Sequence, residues 1–271
     1  MSLRKKVCTA TTFLFVPGNK PERFAKAIAS GADVVILDLE DAVGVDEKDR
    51  AREHVIEWLK HHPDSVVVRI NPRVSREAQS DLRALRGLVS VVMVPKTESE
   101  LDVRDTVDLL GRDASVIALI ETARGVLQAD RIATANGVIR LALGNVDLAA
   151  DIGIDPDDRH ALLPVRSRLS LVSAAAGLCA PVDGVTTVLT DAALTIADAK
   201  YARSMGFTGK LCIHPSQVAP TREAYLPSAD EIKWARSIVA LSVNDSVAKV
   251  NGEMIDRPVV SRAQHILAQV Q

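Results

Sequence analysis

"VVILDLEDAV", residues 34–43, starts as a strand and ends in carboxylates. Val34 to Leu37 is apolar at every position, the pattern of a strand covered on both faces. Asp38, Glu40 and Asp41 then follow within four positions, and ionised carboxylates are among the costliest groups to bury. A fold that accepts both must bury the strand and open at its C-terminal end.

Seven further apolar runs recur about thirty residues apart: "TFLFVP" (12–17), "SVVVRINP" (65–72), "SVVMVPK" (90–96), "SVIALIE" (115–121), "GVIRLALG" (137–144), "VDGVTTV" (182–188) and "KLCIHP" (210–215). Helical patterns lie between them. "PERFAKAIASGA" (21–32) opens on proline, whose missing N–H costs nothing in a first turn, and closes near Gly31. "DEKDRAREHVIEWLKHH" (46–62) carries Ala51, Val55, Ile56 and Leu59 at helical spacing, and "ALTIADAKYARSMGF" (193–207) closes at Gly206. Doubly apolar runs alternating with amphipathic helices predict a parallel sheet covered on both sides. Eight such units predict an α/β fold of the (β/α)8 TIM barrel type. The alternative is an open doubly wound sheet, but no GxGxxG fingerprint follows the first run.

The barrel is expected over residues 1–228. Residues 229–271 form a C-terminal helical extension or lid, packing on the barrel or on a neighbouring subunit, within one domain overall. It holds a helical "DEIKWARSIVALSV" (230–243), a turn-like "NGEMIDRP" (251–258) and an amphipathic "VVSRAQHILAQV" (259–270).

Composition excludes several partners. Lys+Arg 33 against Asp+Glu 35 gives a net charge of −2, and aromatics are 3%. Neither a basic field nor a stacking platform for nucleic acid is present. No apolar run reaches the ~20 residues that span a bilayer. The N-terminal "MSLRKKVCTATTFLFVPGNK" lacks a small-x-small cleavage site and reads as a first strand, not a signal peptide. Cys8, Cys179 and Cys212 are odd in number and lack CxxC spacing, so neither a disulfide framework nor a zinc site is expected; Cys179 and Cys212 read as core. A reducing cytoplasm fits this cysteine usage.

In such barrels the chemistry sits where strands end. The C-terminal ends of the runs bring Gly18-Asn19-Lys20, Asp38/Glu40/Asp41, Arg69/Asn71, Lys96/Glu98, Glu121, Asn145/Asp147, Asp183 and His214 to one rim. Some have bland readings: Asp147 and Asp183 as caps, Thr97 as an N-cap with Glu100 three on, Lys96 as an internal partner of a "DLED" carboxylate. Arg166 and Arg168 suit salt bridges better than phosphate contacts. Arg69, inside an apolar strand, must find a carboxylate or a bound anion. Converging carboxylates repel one another and raise their pKa values unless a cation intervenes. Hard oxygen donors without a His/Cys cluster point to Mg²⁺, or Mn²⁺, with one or two carboxylates as ligands and the others holding waters or orienting groups. Spacing does not decide which two.

"LFVPGNKPERFAKA", "VVILDLEDAV", "VVRINP", "VPKTES", "ALIETARGV", "LALGNVDLAADIG", "GFTGKLCIHPSQV" and "NGEMIDRPVV" together resemble the citrate lyase β subunit and CitE-like lyases, including malyl-CoA and citramalyl-CoA lyases, of the HpcH/HpaI aldolase superfamily. The resemblance is collinear from about residue 12 to the C-terminus. It implies a (β/α)8 barrel, a homotrimer or hexamer, Mg²⁺, and a CoA or acyl-carrier thioester with a small 2-oxo acid. It places metal ligation on Glu121 and Asp147, and substrate binding on Arg69 and Glu121, with Arg69 taking the oxo acid's carboxylate and carbonyl end. Proton transfer falls on Asp256, carried on a neighbouring subunit's lid, or on a water held by Asp38. Glu40, Asp41 and Lys96 lie behind the ligands. Relatives commonly carry Arg-Ser shortly before "LFVPG", where this chain has Thr11 and Thr12, which questions the thioester-side contacts. The citrate lyase subunits proper often read "GAED" where it has "GNVD" (144–147), which keeps the aspartate and puts Val146 in place of its acidic neighbour. These departures lean towards a stand-alone CoA-thioester lyase over a subunit of a citrate lyase complex. A malate-synthase-like condensing or hydrolysing enzyme and a non-catalytic thioester-binding subunit are the other readings.

Overall fold

The computed structural model describes residues 1–111, 113–242, 248–250 and 253–269. Val243, the Asn251-Gly252 start of the expected turn, and Val270 lie outside them. The chain forms two compact units, Met1–Ala224 and Tyr225–Gln271.

Eight parallel strands close the first unit into a barrel in chain order: β1 (Thr12–Pro17), β2 (Val34–Asp38), β3 (Val67–Arg69), β4 (Val91–Val94), β5 (Ser115–Ile120), β6 (Val138–Leu143), β7 (Cys179–Asp183) and β8 (Gly209–Cys212). The β1–β8 pairing seals it, with Thr12 opposite Lys210. Around it run α1 (Leu3–Thr9), α2 (Phe24–Ala29), α3 (Lys48–His61), α4 (Arg76–Leu85), α5 (Glu100–Leu110), α6 (Ala123–Leu127), α7 (Ala129–Thr134), α8 (Asn145–Ile152), α9 (Leu163–Ala175), α10 (Ala192–Ser204) and α11 (Val218–Tyr225).

Period-two alternation divides each strand between two cores. Phe13, Ile36, Val67, Met93, Ile117 and Leu119 pack inside the barrel, while Leu14, Leu37, Val68, Val94 and Ile120 pack outward with Leu59, Leu82 and Leu169 of the helices. That double burial is why the runs read as continuous apolar stretches.

Three sequence expectations change. Only Thr12–Pro17 of the first twenty residues is strand; Leu3–Thr9 is helix, and its Leu3 and Val7, with Ala10, join the inner cluster. β7 ends at Asp183, so "VTTV" (185–188) is loop, and the strand begins at Cys179 in a segment whose Pro181 masks it. Cys179 is not a free core thiol: it forms a disulfide with Cys8, 171 residues away, a separation that carries no spacing signal. Cys212 is free and buried.

The same end of the barrel holds a residue the sequence reading passed over. Arg140 is fully buried in β6. Its Nη1 donates to the carbonyls of Val7 (2.6 Å) and Ala10 (2.8 Å), its Nε to Ala180 O (2.6 Å) and its Nη2 to Thr208 Oγ1 (2.7 Å). Carbonyls at the end of α1 suit a cation, because a helix C-terminus is electronegative. Thr12 begins β1 at this end too, its Oγ1 2.9 Å from Asp33 Oδ2. The Thr11–Thr12 departure therefore lies at the opposite end of β1 from the carboxylate-bearing rim. Burial of Asp33 would raise its pKa, but hydrogen bonds from Thr12, Thr11 and Arg222 hold it below the usual value.

In the second unit α12 (Ala229–Ser242) and α13 (Arg257–Ala268) pack through Ala235, Ile238, Ala263 and Ile266, and β9 (Ala248–Val250) pairs antiparallel with β10 (Glu253–Ile255). No described helix is long and apolar enough to cross a membrane.

Candidate active site

Strand register builds the centre of the barrel mouth. Asp38 ends β2 directly opposite Arg69, the last residue of β3. Arg69 Nε donates to Asp38 Oδ1 (2.7 Å) and Nη2 to Oδ2 (2.6 Å), a bidentate pair. Asp38 also accepts the backbone N–H groups of Glu40 (2.9 Å) and Ala42 (3.1 Å). With four donors on two oxygens, Asp38 is committed to holding Arg69 and the turn after β2. Arg69 Nη1 lies 3.0 Å from Glu40 Oε2, and its guanidinium sits 4.6 Å from the centroid of the Phe15 ring. Burial alone would depress the arginine's pKa; Asp38, Glu40 and Glu121 overcome it and hold the group charged.

The turn itself is fastened by Lys48, whose Nζ donates to the carbonyls of Leu39 and Glu40 at 2.7 Å each. The sequence reading missed this lysine, which looks like an ordinary first-turn residue of α3. Asn71, expected at the rim, donates from its backbone and side chain to buried Asp81, which also takes Arg52 Nε; it anchors the loop after β3.

Glu121 follows β5 and is 2% exposed. Its Oε1 accepts the Lys96 backbone N–H at 2.8 Å. Burial, then Glu40, push its pKa up to about 8, with Lys96 pulling the other way. Gly144 must be glycine, because a Cβ there would run into the Glu121 carboxyl. Asp147 stands in the first turn of α8, where the helix N-terminus favours a carboxylate. Asn145 clamps Val185 through its N–H (2.8 Å) and carbonyl (3.1 Å). That fixes the loop after β7 against α8 and leaves no room for a Cβ at Gly184.

Lys96 Nζ reaches Glu40 Oε1 (2.6 Å), Asp147 Oδ2 (3.5 Å) and Asp41 Oδ2 (3.9 Å). Glu40 is buried, and burial keeps its pKa raised despite Arg69 and Lys96. The expected Thr97 cap belongs instead to Ser99, which forms a capping box with Asp102, while Thr97 Oγ1 bonds Val94 O.

Asp38, Asp41, Arg69, Glu121, Asn145 and Asp147 line one cavity of about 410 Å³ with Phe15, Leu119, Leu143 and Leu211 among its apolar walls. Asp183 pairs with Arg166 Nε (2.9 Å) and lies 3.5 Å from Lys210 Nζ, buried beside this cavity and not lining it. Arg168 meets Leu127 O and Asp130. His214 is exposed and bonds Ser216. Asp256 belongs to the second unit, where its carboxylate accepts Val259 N–H and caps α13.

Five carboxyl groups, from Asp38, Glu40, Asp41, Glu121 and Asp147, face two ion-paired cations, Arg69 and Lys96, and Lys48 on the turn after β2, which leaves a formal excess of two negative charges. Among the described residues no three His, Cys, Asp or Glu side chains converge on one metal-sized point. Two carboxyl side chains lining the same cavity, those of Glu121 and Asp147, could hold a hard divalent cation that keeps waters or a chelating substrate.

A closed parallel barrel with an acidic, arginine-bearing mouth at its strand C-termini is a (β/α)8-barrel enzyme. The chain belongs to the HpcH/HpaI aldolase/citrate lyase family, whose model matches residues 11–215. It is 40% identical over 263 residues to a citrate lyase subunit beta-like protein of Mycobacterium tuberculosis, covering 94% of this chain and 93% of that one. It is 32% identical to a (3S)-malyl-CoA thioesterase of Cereibacter sphaeroides, over 95% and 93% of the two chains. The structure of CitE from Mycobacterium tuberculosis with magnesium, acetoacetate and coenzyme A superposes with a TM-score of 0.86 at 36% identity, covering 97% of this chain and 98% of that one.

Proposed function

We propose that this protein is a Mg²⁺-dependent carbon–carbon lyase that cleaves a 3-hydroxy-acyl thioester into a 2-oxo acid and an acyl thioester. The observation that carries the assignment is that a half-buried Arg69, held bidentately by Asp38, lines one cavity together with Glu121 and Asp147. Family membership and the magnesium, acetoacetate and coenzyme A of the CitE structure support the same chemistry. Mg²⁺ (or Mn²⁺) held by Glu121 and Asp147 would supply Lewis-acid polarisation of substrate oxygens.

Arg69, kept charged and aimed by Asp38, binds the carboxylate on the hydroxyl-bearing carbon and stabilises the negative charge that the neighbouring hydroxyl oxygen takes on when its proton is removed. That electron pair then forms the oxo acid's carbonyl as the C–C bond breaks and its electrons pass to the thioester enolate. Glu40 and Lys96 keep the turn after β2 in place. The apolar walls admit the carbon skeleton and exclude bulk water. Asp256 is assigned the proton transfer, supplied from the C-terminal unit of a neighbouring subunit in a homotrimer or hexamer. Asp38 is then a positioning residue. The reading places the enzyme in the cytoplasm and has it act on a CoA thioester by itself.

The test is incubation with Mg²⁺ and malyl-, citramalyl- and citryl-CoA, with identification of any oxo acid released. Glu121→Ala and Asp147→Ala should each abolish metal-dependent release, and Asp256→Asn should lower turnover while oxo-acid binding persists. Full activity in either metal-ligand variant would refute the assignment. Release of free CoA without an oxo acid would point instead to thioester hydrolysis, the activity named for the Cereibacter sphaeroides relative.

A further inference from the structure

Lys96 is built unlike an ordinary loop lysine. Its backbone is left-handed, with φ of 47°, a conformation that residues bearing a Cβ rarely adopt. That turn does two things at once. It points the N–H at Glu121 Oε1 (2.8 Å), and it sends the side chain into the mouth, where Nζ stands 2.6 Å from Glu40, 3.5 Å from Asp147 and 3.9 Å from Asp41. One residue thus touches four acidic side chains, and its side chain keeps 36% of its surface exposed. A lysine that only braced the fold around Glu40 would have no reason to lie against Asp147.

We propose that Lys96 is a tethered surrogate cation for the metal site: in the metal-free protein its ammonium holds Asp147 and Glu40, and it yields Asp147 when the divalent cation arrives. The proposal rests on the reading of Glu121 and Asp147 as ligands. Two features support it. The carboxylates are spread around the ammonium, and no three of them converge on a point of their own. The contacts are also graded: the short one is to buried Glu40, the longer ones to the exposed Asp41 and the half-buried Asp147, so the ammonium can release Asp147 without leaving Glu40 unpaired. A positive charge beside a ligand opposes a second cation, so Lys96 sets the site's affinity below what its carboxylates alone would give.

The experiment titrates Mn²⁺ into metal-free wild type, Lys96→Met and Lys96→Arg at low ionic strength, following free Mn²⁺ by electron paramagnetic resonance without substrate. Lys96→Met should bind about tenfold more tightly, an advantage that shrinks as salt screens the charge. Lys96→Arg should remain near wild type. Thermal melting supplies a second readout: metal-free Lys96→Met should melt below wild type, and saturating Mg²⁺ should close the gap. Should Lys96→Met fail to fold, Lys96→Gln takes its place. Equal or weaker Mn²⁺ binding by the neutral variant, with wild-type binding intact, would overturn the surrogate role alone. Absence of Mn²⁺ binding in all the folded proteins would overturn the metal assignment and the surrogate role together.

Discussion

Glu121 carries the clearest consequence of a single side chain. Buried beside Glu40 and Asp147, it has a pKa near 8 in the folded, metal-free protein against 4.5 as the reference. The folded state therefore binds a proton that the unfolded state has released between these values. Stability from this group is fully present below about pH 4.5 and is lost as pH rises through about 8. Two measurements follow. The melting temperature of metal-free protein should decline across that window by more than that of Glu121→Gln. Mg²⁺ binding near pH 7 should release close to one proton, detectable by calorimetry in buffers of different ionisation enthalpy; binding without proton release would contradict the raised value. The position of Glu121 was legible beforehand, because a glutamate closing the apolar "VIALI" falls at the C-terminal end of a barrel strand; its role as a ligand belongs to the proposal. What the residues could not reveal is that Asp38 is saturated: its four donors come from strand register and from a turn whose geometry only the fold fixes.

Elements were legible in proportion to how strongly burial dictated their pattern. β2, β4 and β5 are apolar on both faces and announce themselves. β7 was displaced because Pro181 and Asp183 interrupt it while the loop "VTTV" imitates a strand. α1 went unseen because it is short and its role is tertiary: it closes the inner core through Leu3 and Val7. Arg140 and the Cys8–Cys179 bond join this helix to β6 and β7, and neither has a local signature. Cys8→Ser should cost about 2–4 kcal/mol in denaturant unfolding, the usual range for a disulfide closing a long loop. Oxo-acid release should persist, because the bond lies at the opposite end of the barrel from the mouth. Three titratable thiols in unreduced, denatured protein, or an unchanged unfolding midpoint, would count against this.

At the scale of the whole molecule, the eightfold alternation of strand and helix specified the closed barrel, and collinear motifs specified the family. Long-range pairing escaped notice for a physical reason: a contact 171 residues apart leaves no periodicity. That bond has a mechanical meaning. It ties β1 to β6 into a covalent ring, with β8 and the C-terminal unit outside it. A pulling device attached to the two ends of the chain can extend only what lies outside the ring. The oxidised protein should therefore stretch to a final length shorter than the reduced one by roughly 560–620 Å, the span of the enclosed residues when fully extended. In an optical trap the difference would appear as a missing step. A processive unfoldase working from the C-terminus would strip the chain back to Cys179 and there meet a loop instead of a single strand.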